Sequence, residues 1–93
     1  ADAASDGQIV AVAVEGSGKG AAGWLTVRRA DVSYDHPFHA PFEHALNIDF
    51  VDETREPGAR VAVELSESSA RALVETILSV LARADAGGYL AHS

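Results

Sequence analysis

Three of the four histidines in this chain lie within nine residues, at His36, His39 and His44. Neutral imidazole nitrogen is a common ligand of Zn, Fe, Mn, Ni and Cu, and three such nitrogens exceed what packing alone requires. Three protein ligands that leave one position open are typical of a catalytic metal, whereas a structural metal is usually closed by four. We therefore expect these histidines to bind a divalent metal, whose identity the sequence leaves open.

Glu43 directly precedes the last of these histidines. Its carboxylate can act as a general base on a metal-bound water, orient an imidazole or complete the ligand set, and Asp35 and Asp49 are the other carboxylates close by in the sequence. If the site is catalytic, the expected substrate is a small polar organic molecule. Trp24 and Tyr34 are then the expected walls of the substrate pocket.

The imidazoles must converge for this chemistry, although a fully extended chain would hold His36 and His44 about 26 Å apart. Pro37 and Pro41 fix their own φ angles and bias the residues before them towards extended backbone, which stiffens the intervening segment. We therefore expect segment 34–44 to fold back as an ordered loop. His44 then begins the next strand on its core-facing side.

Two other interpretations of the same residues stay open. In the first, the histidines only order the loop: they hydrogen-bond to backbone carbonyls, Glu43 pairs with Arg28 or Arg55, and nothing is bound. In the second, His39, His44 and Glu43 form a metal-free pocket in which one imidazole holds or passes a proton near neutral pH. Under either interpretation the protein is not a metal enzyme.

Composition limits the class of protein further. The 93 residues suffice for a single domain, 1–93, that buries proportionately little apolar surface, and no cysteine is present to form a disulfide. We therefore expect a homo-oligomer, a dimer or larger. The formal net charge of −7 disfavours nucleic acid and anionic membranes as partners. No apolar run approaches the ~20 residues of a membrane span, and we expect a cytoplasmic protein.

Period-two alternation of apolar and polar residues predicts four strands. They cover residues 8–15, 24–35, 44–51 and 60–65. The second strand changes parity near Arg28-Arg29, and a β-bulge there would let both of its halves face the core. The first strand turns Ala11 and Ala13 away from the core. This alanine-lined face is the expected oligomerisation surface of a non-catalytic accessory or binding module, which is the rival to a metal-dependent enzyme.

A helix is predicted over residues 66–85, because Ser66 is a suitable N-cap and apolar side chains follow at three- and four-residue spacing. Residues 1–7 are expected to form a loose N-terminus, and the glycine-rich segment 16–23 a loop. Short links between successive strands imply an antiparallel sheet. The sequence therefore predicts an α+β fold in which a four-stranded antiparallel sheet is covered on one face by a single C-terminal helix.

Four stretches of the chain carry a resemblance to other proteins. They are Val14–Trp24, Asp35–Pro41, Glu43–Phe50 and the strand and helix between Val61 and Leu81. These stretches resemble a family of small actinobacterial proteins of unknown function, marked by the segment DHPFHAP-x-EHALNIDF. The resemblance implies no activity, so the expected site residues rest on their own chemistry.

Overall fold

The computed structural model of the chain describes residues 8–52, 54 and 60–89. It shows a four-stranded antiparallel sheet followed by one helix that lies over it, which confirms the predicted α+β fold. The expected loose terminus at residues 1–7 lies outside the described residues. In chain order the elements are β1 (Val10–Gly20), β2 (Gly23–Asp35), β3 (Ala45–Val51), β4 (Arg60–Leu65) and α1 (Glu67–Ala86).

The strands lie in sequence order, and each is antiparallel to the next. Because directly paired residues share a face of a sheet, the register aligns one apolar row in which Val10 pairs with Val32, Val32 with Ile48 and Ile48 with Val63. We call this side the apolar face; it is the predicted core side. We call the other side the polar face. The polar face carries Ala11, Asp31, Ser33, Asn47, Asp49 and Glu64.

The hairpin of β1 and β2 is longer than predicted. The prediction that residues 16–23 form a loop is wrong, because Gly16–Gly20 pair in register with β2 and only residues 21–22 form the turn. Cross-strand hydrogen bonds here outweigh the poor strand propensity of glycine. Gly23 follows the turn with a φ of 118°, in the left-handed region that glycine adopts most easily.

The predicted bulge is present at the level of Arg28, with its extra residue in β1 instead of β2. Val14 and Glu15 together stand opposite Arg28. Both halves of β2 face the core as expected, since Val27 and Ala30 are both buried although they differ in parity. The extra residue lies in β1, so it does not by itself explain this change of face in β2.

Ser66 is the N-cap of α1 as predicted, and both ends of the helix lie one residue later than predicted. The Ser66 Oγ accepts a hydrogen bond from the backbone N–H of Ser69 at 3.2 Å, and Glu67 in the first turn complements the helix dipole. At the other end, the Gly87 N–H donates to the Arg83 carbonyl at 3.0 Å. No helix in the described part of the chain has the length and hydropathy to cross a membrane.

The core of one chain is small. Among the described residues, the buried apolar ones are Val27, Ala30 and Ala45. Helix α1 touches β3, yet none of its residues is buried. Helix α1 therefore does not enclose a core with the sheet.

Candidate functional site: an apolar groove beside a histidine stack

An open groove of about 680 Å³ runs between the apolar face of the sheet and α1. Its volume falls within the range of pockets that hold small molecules or peptide side chains. From the sheet it is lined by Val32, Tyr34, Leu46, Ile48 and Leu65. From the helix it is lined by Ala70, Leu73, Val74 and Ile77. The predicted 3.6-residue spacing of α1 places these helical side chains on one side.

Two charged residues, Glu67 and Arg71, also line the groove. They pair with each other, with Arg71 Nε 2.9 Å from Glu67 Oε2, and both side chains are mostly exposed. Because each charge is compensated by its neighbour one helical turn away, the pair does not call for an ionic ligand. The groove therefore favours apolar surface over an ion.

Helix α1 leaves much of its apolar surface in solvent. Six of its large aliphatic residues are between 44% and 62% exposed. They are Leu73, Val74, Ile77, Leu78, Val80 and Leu81. Fully burying one such side chain is worth about 1.5–3 kcal/mol, so the six leave on the order of 5–9 kcal/mol unrealised. That amount approaches the whole stability of a typical domain, about 5–15 kcal/mol, so a partner that covers this surface would gain substantially.

Three rings form a stack that adjoins the groove at Tyr34. The imidazole of His44 stacks on the Tyr34 ring with 5.7 Å between centroids and 19° between planes. The imidazole of His36 stacks on His44 at 4.7 Å and 26°. We call these three side chains the histidine stack. His44 precedes β3 on the parity of Leu46, which places its ring on the apolar side as predicted.

His36 is held through both its backbone and its ring. Its backbone N–H donates to Asp35 Oδ1 at 2.7 Å, and its Nδ1 lies 2.9 Å from the carbonyl oxygen of Glu43. Because a carbonyl oxygen only accepts, this bond requires the proton on Nδ1 and leaves the Nε2 lone pair available. Metal-ligating histidines commonly have this arrangement, and so do histidines that only order a loop.

The backbone at His39 is anchored to the opposite side of the sheet by Glu64. The Glu64 carboxylate accepts hydrogen bonds from the backbone N–H groups of Phe38 at 2.6 Å, His39 at 3.1 Å and Ala40 at 2.8 Å. Since Leu65 lines the groove and side chains alternate along a strand, Glu64 belongs to the polar face. The bonds from Ala40 and Phe38 lower the pKa of Glu64 below its ordinary value.

The structure therefore brings His36 and His44 together with Tyr34 and holds the His39 backbone on the other face. In residues 8–52, 54 and 60–89, no three His, Asp or Glu side chains are grouped as ligands of one ion. Trp24, the second expected pocket wall, pairs with Lys19 near the hairpin turn and is 69% exposed. It lies outside the residues that line the groove.

The three carboxylates that were expected beside the histidines have different surroundings. Glu43 is exposed, and its backbone carbonyl accepts the hydrogen bond from the His36 ring. Asp35 accepts from the His36 backbone, as described above. Asp49 lies on the polar face, 3.5 Å from Arg60 Nη2. The expected Glu43 pair with Arg28 is not formed, because Arg28 pairs with Asp52; the alternative partner, Arg55, lies outside the described residues.

Asp52 is a structural residue that the sequence reasoning missed. It is 5% exposed and accepts from the Thr54 N–H at 3.0 Å, the Thr54 hydroxyl at 2.6 Å and Arg28 Nε at 3.3 Å. These bonds, the one from the Thr54 hydroxyl first, lower the pKa of Asp52. The Asp-x-Thr spacing was the available signal, since such residues often bond to the backbone two positions later.

No curated protein and no solved structure matches the chain. A family model described as a family of unknown function (DUF6295) matches residues 7–90. The match includes all four strands, the histidine-rich loop and α1. The description of the family names no activity, so it adds no role for any residue of the groove or the histidine stack. The chain belongs to this family of unknown function.

Proposed function

We propose that this chain is a non-catalytic binding module, and that the groove is its binding site for an apolar surface of another polypeptide. One observation carries the proposal: α1 is a 20-residue helix lying over the sheet, and it has no buried residue. The groove beneath it stays open and is lined mostly by aliphatic side chains. A surface of this kind is typical of interaction sites on small proteins.

The chemistry of the groove supports binding over catalysis. A general acid or base must reach a bound substrate, and the titratable groups that line the groove are Tyr34 and the paired Glu67 and Arg71. The rings of His36 and His44 adjoin the groove through the stack on Tyr34 and are not among its lining residues. In this proposal the histidine stack is structural and forms a flat wall that supports Tyr34.

An environment-sensitive dye tests the proposal, because the chain has no cysteine and a single introduced thiol can be labelled uniquely. Acrylodan attached to the Ile77→Cys variant should emit at a shorter wavelength in the native protein than acrylodan on Ser79→Cys, which lies on the opposite side of the same helix. In denaturant the two emissions should be equal. Equal emission in the native proteins as well would refute an apolar binding groove.

A divalent metal site is the second candidate function, and the fixed tautomer of His36 favours it. With Nδ1 donating to the Glu43 carbonyl, Nε2 can bind a metal. His44 is the neighbouring imidazole, and the exposed Glu43 carboxylate can supply a third ligand. Lone pairs lie in the ring planes, so the stacked imidazoles must turn before both nitrogens stand about 2.0–2.1 Å from one ion.

Elemental analysis of untagged protein, before and after dialysis against a chelator, tests the metal site. Binding through the histidine stack predicts stoichiometric metal in the wild type and its loss in His36→Ala. His39→Ala serves as the matched control and should retain the metal, because the His39 backbone is held on the opposite face. Protein without metal after growth and after dialysis against Zn, Mn, Ni, Cu or Fe(II) would exclude this candidate.

A further inference from the structure

We propose that the loop between β2 and β3 is a second interaction site, in which the phenyl ring of Phe38 inserts into an apolar pocket on another protein. Basic side chains surround that pocket. The inference rests on the loop and not on the groove, so it goes beyond the proposed function and either can fail without the other.

Phe38 is the most exposed large apolar side chain in the described part of the chain. Its exposed fraction is 98%, whereas Phe42 in the same loop is 42% exposed. A ring with that exposure adds almost nothing to the core, so the stability of the fold does not account for an aromatic residue at this position. Aromatic side chains are enriched in protein interfaces, where a partner buries them.

The backbone that carries this ring is fixed in place. Glu64 accepts the N–H groups of Phe38 at 2.6 Å, His39 at 3.1 Å and Ala40 at 2.8 Å. Pro37, directly before Phe38, fixes its own φ angle. A segment that is already ordered loses little conformational freedom on binding, so more of its contact energy is realised as affinity. An anchored backbone with its largest apolar side chain in solvent is what an interaction anchor requires.

The charge around the loop indicates the kind of partner. Between Arg29 and Arg55 the sequence has no lysine or arginine, and it has six acidic residues. Two of them flank the loop: Asp35 ends β2, and Glu43 is exposed. A pocket with Lys or Arg at its rim is complementary to these carboxylates and would be steered towards them.

The same charge disfavours two other surfaces that can receive an aromatic ring. A second copy of the chain carries the same formal net charge of −7, and an anionic membrane repels the chain in the same way. A single ring without basic neighbours also lacks the electrostatic attraction that strengthens interfacial membrane binding. A protein with a basic rim around an apolar pocket is therefore the favoured partner.

A cyclodextrin host tests this recognition chemistry on the untagged full-length chain. β-Cyclodextrin encloses a phenyl ring in an apolar cavity, and its amino-substituted derivative adds ammonium groups at the rim. In titrations followed by NMR, the amino host should bind about tenfold more tightly than the neutral host, and Phe38→Ala should abolish this preference. Trp24→Ala is the matched control and should keep it, because the exposed Trp24 ring is paired with Lys19, whose charge repels the amino host.

Two further variants separate the ring from its surroundings. Glu43→Gln keeps the ring and removes one carboxylate, so it should reduce the preference for the amino host and leave the affinity for the neutral host unchanged. Glu64→Gln keeps the ring and loosens the backbone, so it should weaken the binding of both hosts. Equal binding of the amino host by Phe38→Ala and the wild type would overturn the inference.

Photo-crosslinking in the cells that make the protein tests the class of partner. With p-benzoylphenylalanine in place of Phe38, mass spectrometry should identify a protein whose cross-linked peptide is apolar and is flanked by Lys or Arg. The same probe in place of Trp24 should not capture that protein, and Glu64→Gln should reduce its yield. Cross-linking to a second copy, to lipid or to no molecule would overturn the inference, whereas the dye on Ile77→Cys tests the groove independently.

Discussion

The Glu64 carboxylate lies 2.6 Å from the backbone nitrogen of Phe38, although 26 residues separate the two in sequence. The same carboxylate also receives the N–H groups of His39 and Ala40. One side chain of β4 therefore ties down the turn of the histidine-rich loop from the polar face. This segment is held on the polar face of the sheet. The rings of His36, His44 and Tyr34 stack on the apolar face.

Replacing Glu64 by glutamine should release the loop. A Gln side chain keeps one carbonyl acceptor and loses the charge that strengthens each bond, so three backbone N–H groups are incompletely satisfied. We expect amide exchange at Phe38, His39 and Ala40 to accelerate by about tenfold or more, as local opening becomes easier. Hydrogen exchange followed by NMR measures this. Glu67→Gln, on the exposed first turn of α1, is the matched control; equal acceleration in both variants would contradict the anchoring role.

Lowering the pH should destabilise the fold by protonating the Glu64 carboxylate. The pKa of Glu64 is lowered from 4.5, and that of Asp52 from 3.8 by the Thr54 hydroxyl. A folded pKa below the unfolded value contributes stability that is present above the unfolded pKa and is lost as pH falls through the folded pKa. The melting temperature should therefore drop as pH falls below about 4.5. Glu64→Gln should flatten the upper part of this drop; an unchanged profile would show that Glu64 does not contribute.

The sheet was predictable because strand parity is a local property. Once a strand forms, odd and even residues take opposite faces, so the apolar positions Val32, Ile48 and Val63 align without further information. The change of parity near Arg28 likewise required an irregularity at that level. The parity change within β2 pointed to an extra residue in β2, whereas the register has that residue in β1.

Features that depend on distant partners were not predictable. Gly16–Gly20 is strand because β2 pairs with it, which outweighs the turn signal of its glycines. Glu64 looked like an ordinary outward-facing residue, and its partners are 24 to 26 residues away. The spacing of the apolar residues in α1 showed which side of the helix is apolar. It does not show how much of that side the sheet of the same chain covers. The approach of His36 to His44 depends on the path of the loop. The prolines stiffen the loop, but their positions in the sequence do not determine that path.

Two glycines in β1 should differ in their response to substitution by alanine. A Cβ at Gly16 would meet no atom within 4 Å, whereas one at Gly18 would lie 3.2 Å from Val27 Cγ2 and 3.4 Å from Val61 Cγ2. Gly16→Ala should stabilise the fold by about 0.4–1 kcal/mol, because alanine restricts the unfolded chain. Gly18→Ala should be less stable than Gly16→Ala, since the two valines must give way. Urea denaturation measures both, and the reverse order would show that the strands are not packed as described.

Ala45 should not tolerate a larger side chain. It is 0% exposed at the start of β3, paired with Asp35. Ala45→Val adds two methyl groups where no space remains, and overpacking of this kind costs about 1–3 kcal/mol. Ala62→Val is the matched control at an exposed position of β4, where the change should stay within about 0.5 kcal/mol. Thermal denaturation compares them; equal stabilities would mean that Ala45 is not enclosed.

If the homo-oligomer expected from the sequence covers the groove, the cost of Leu73→Ala should depend on protein concentration. In one chain Leu73 is 44% exposed, so truncation removes only part of a buried side chain and should cost about 1–2 kcal/mol. In an assembly that covers the groove the same change should cost about 2–5 kcal/mol, the range for enclosed leucine. Denaturation at low and high protein concentration should show a growing difference from wild type. Arg71→Ala, on the charged rim of the groove, should show a constant difference. A Leu73→Ala cost that is the same at all concentrations would mean that no second chain covers this side chain.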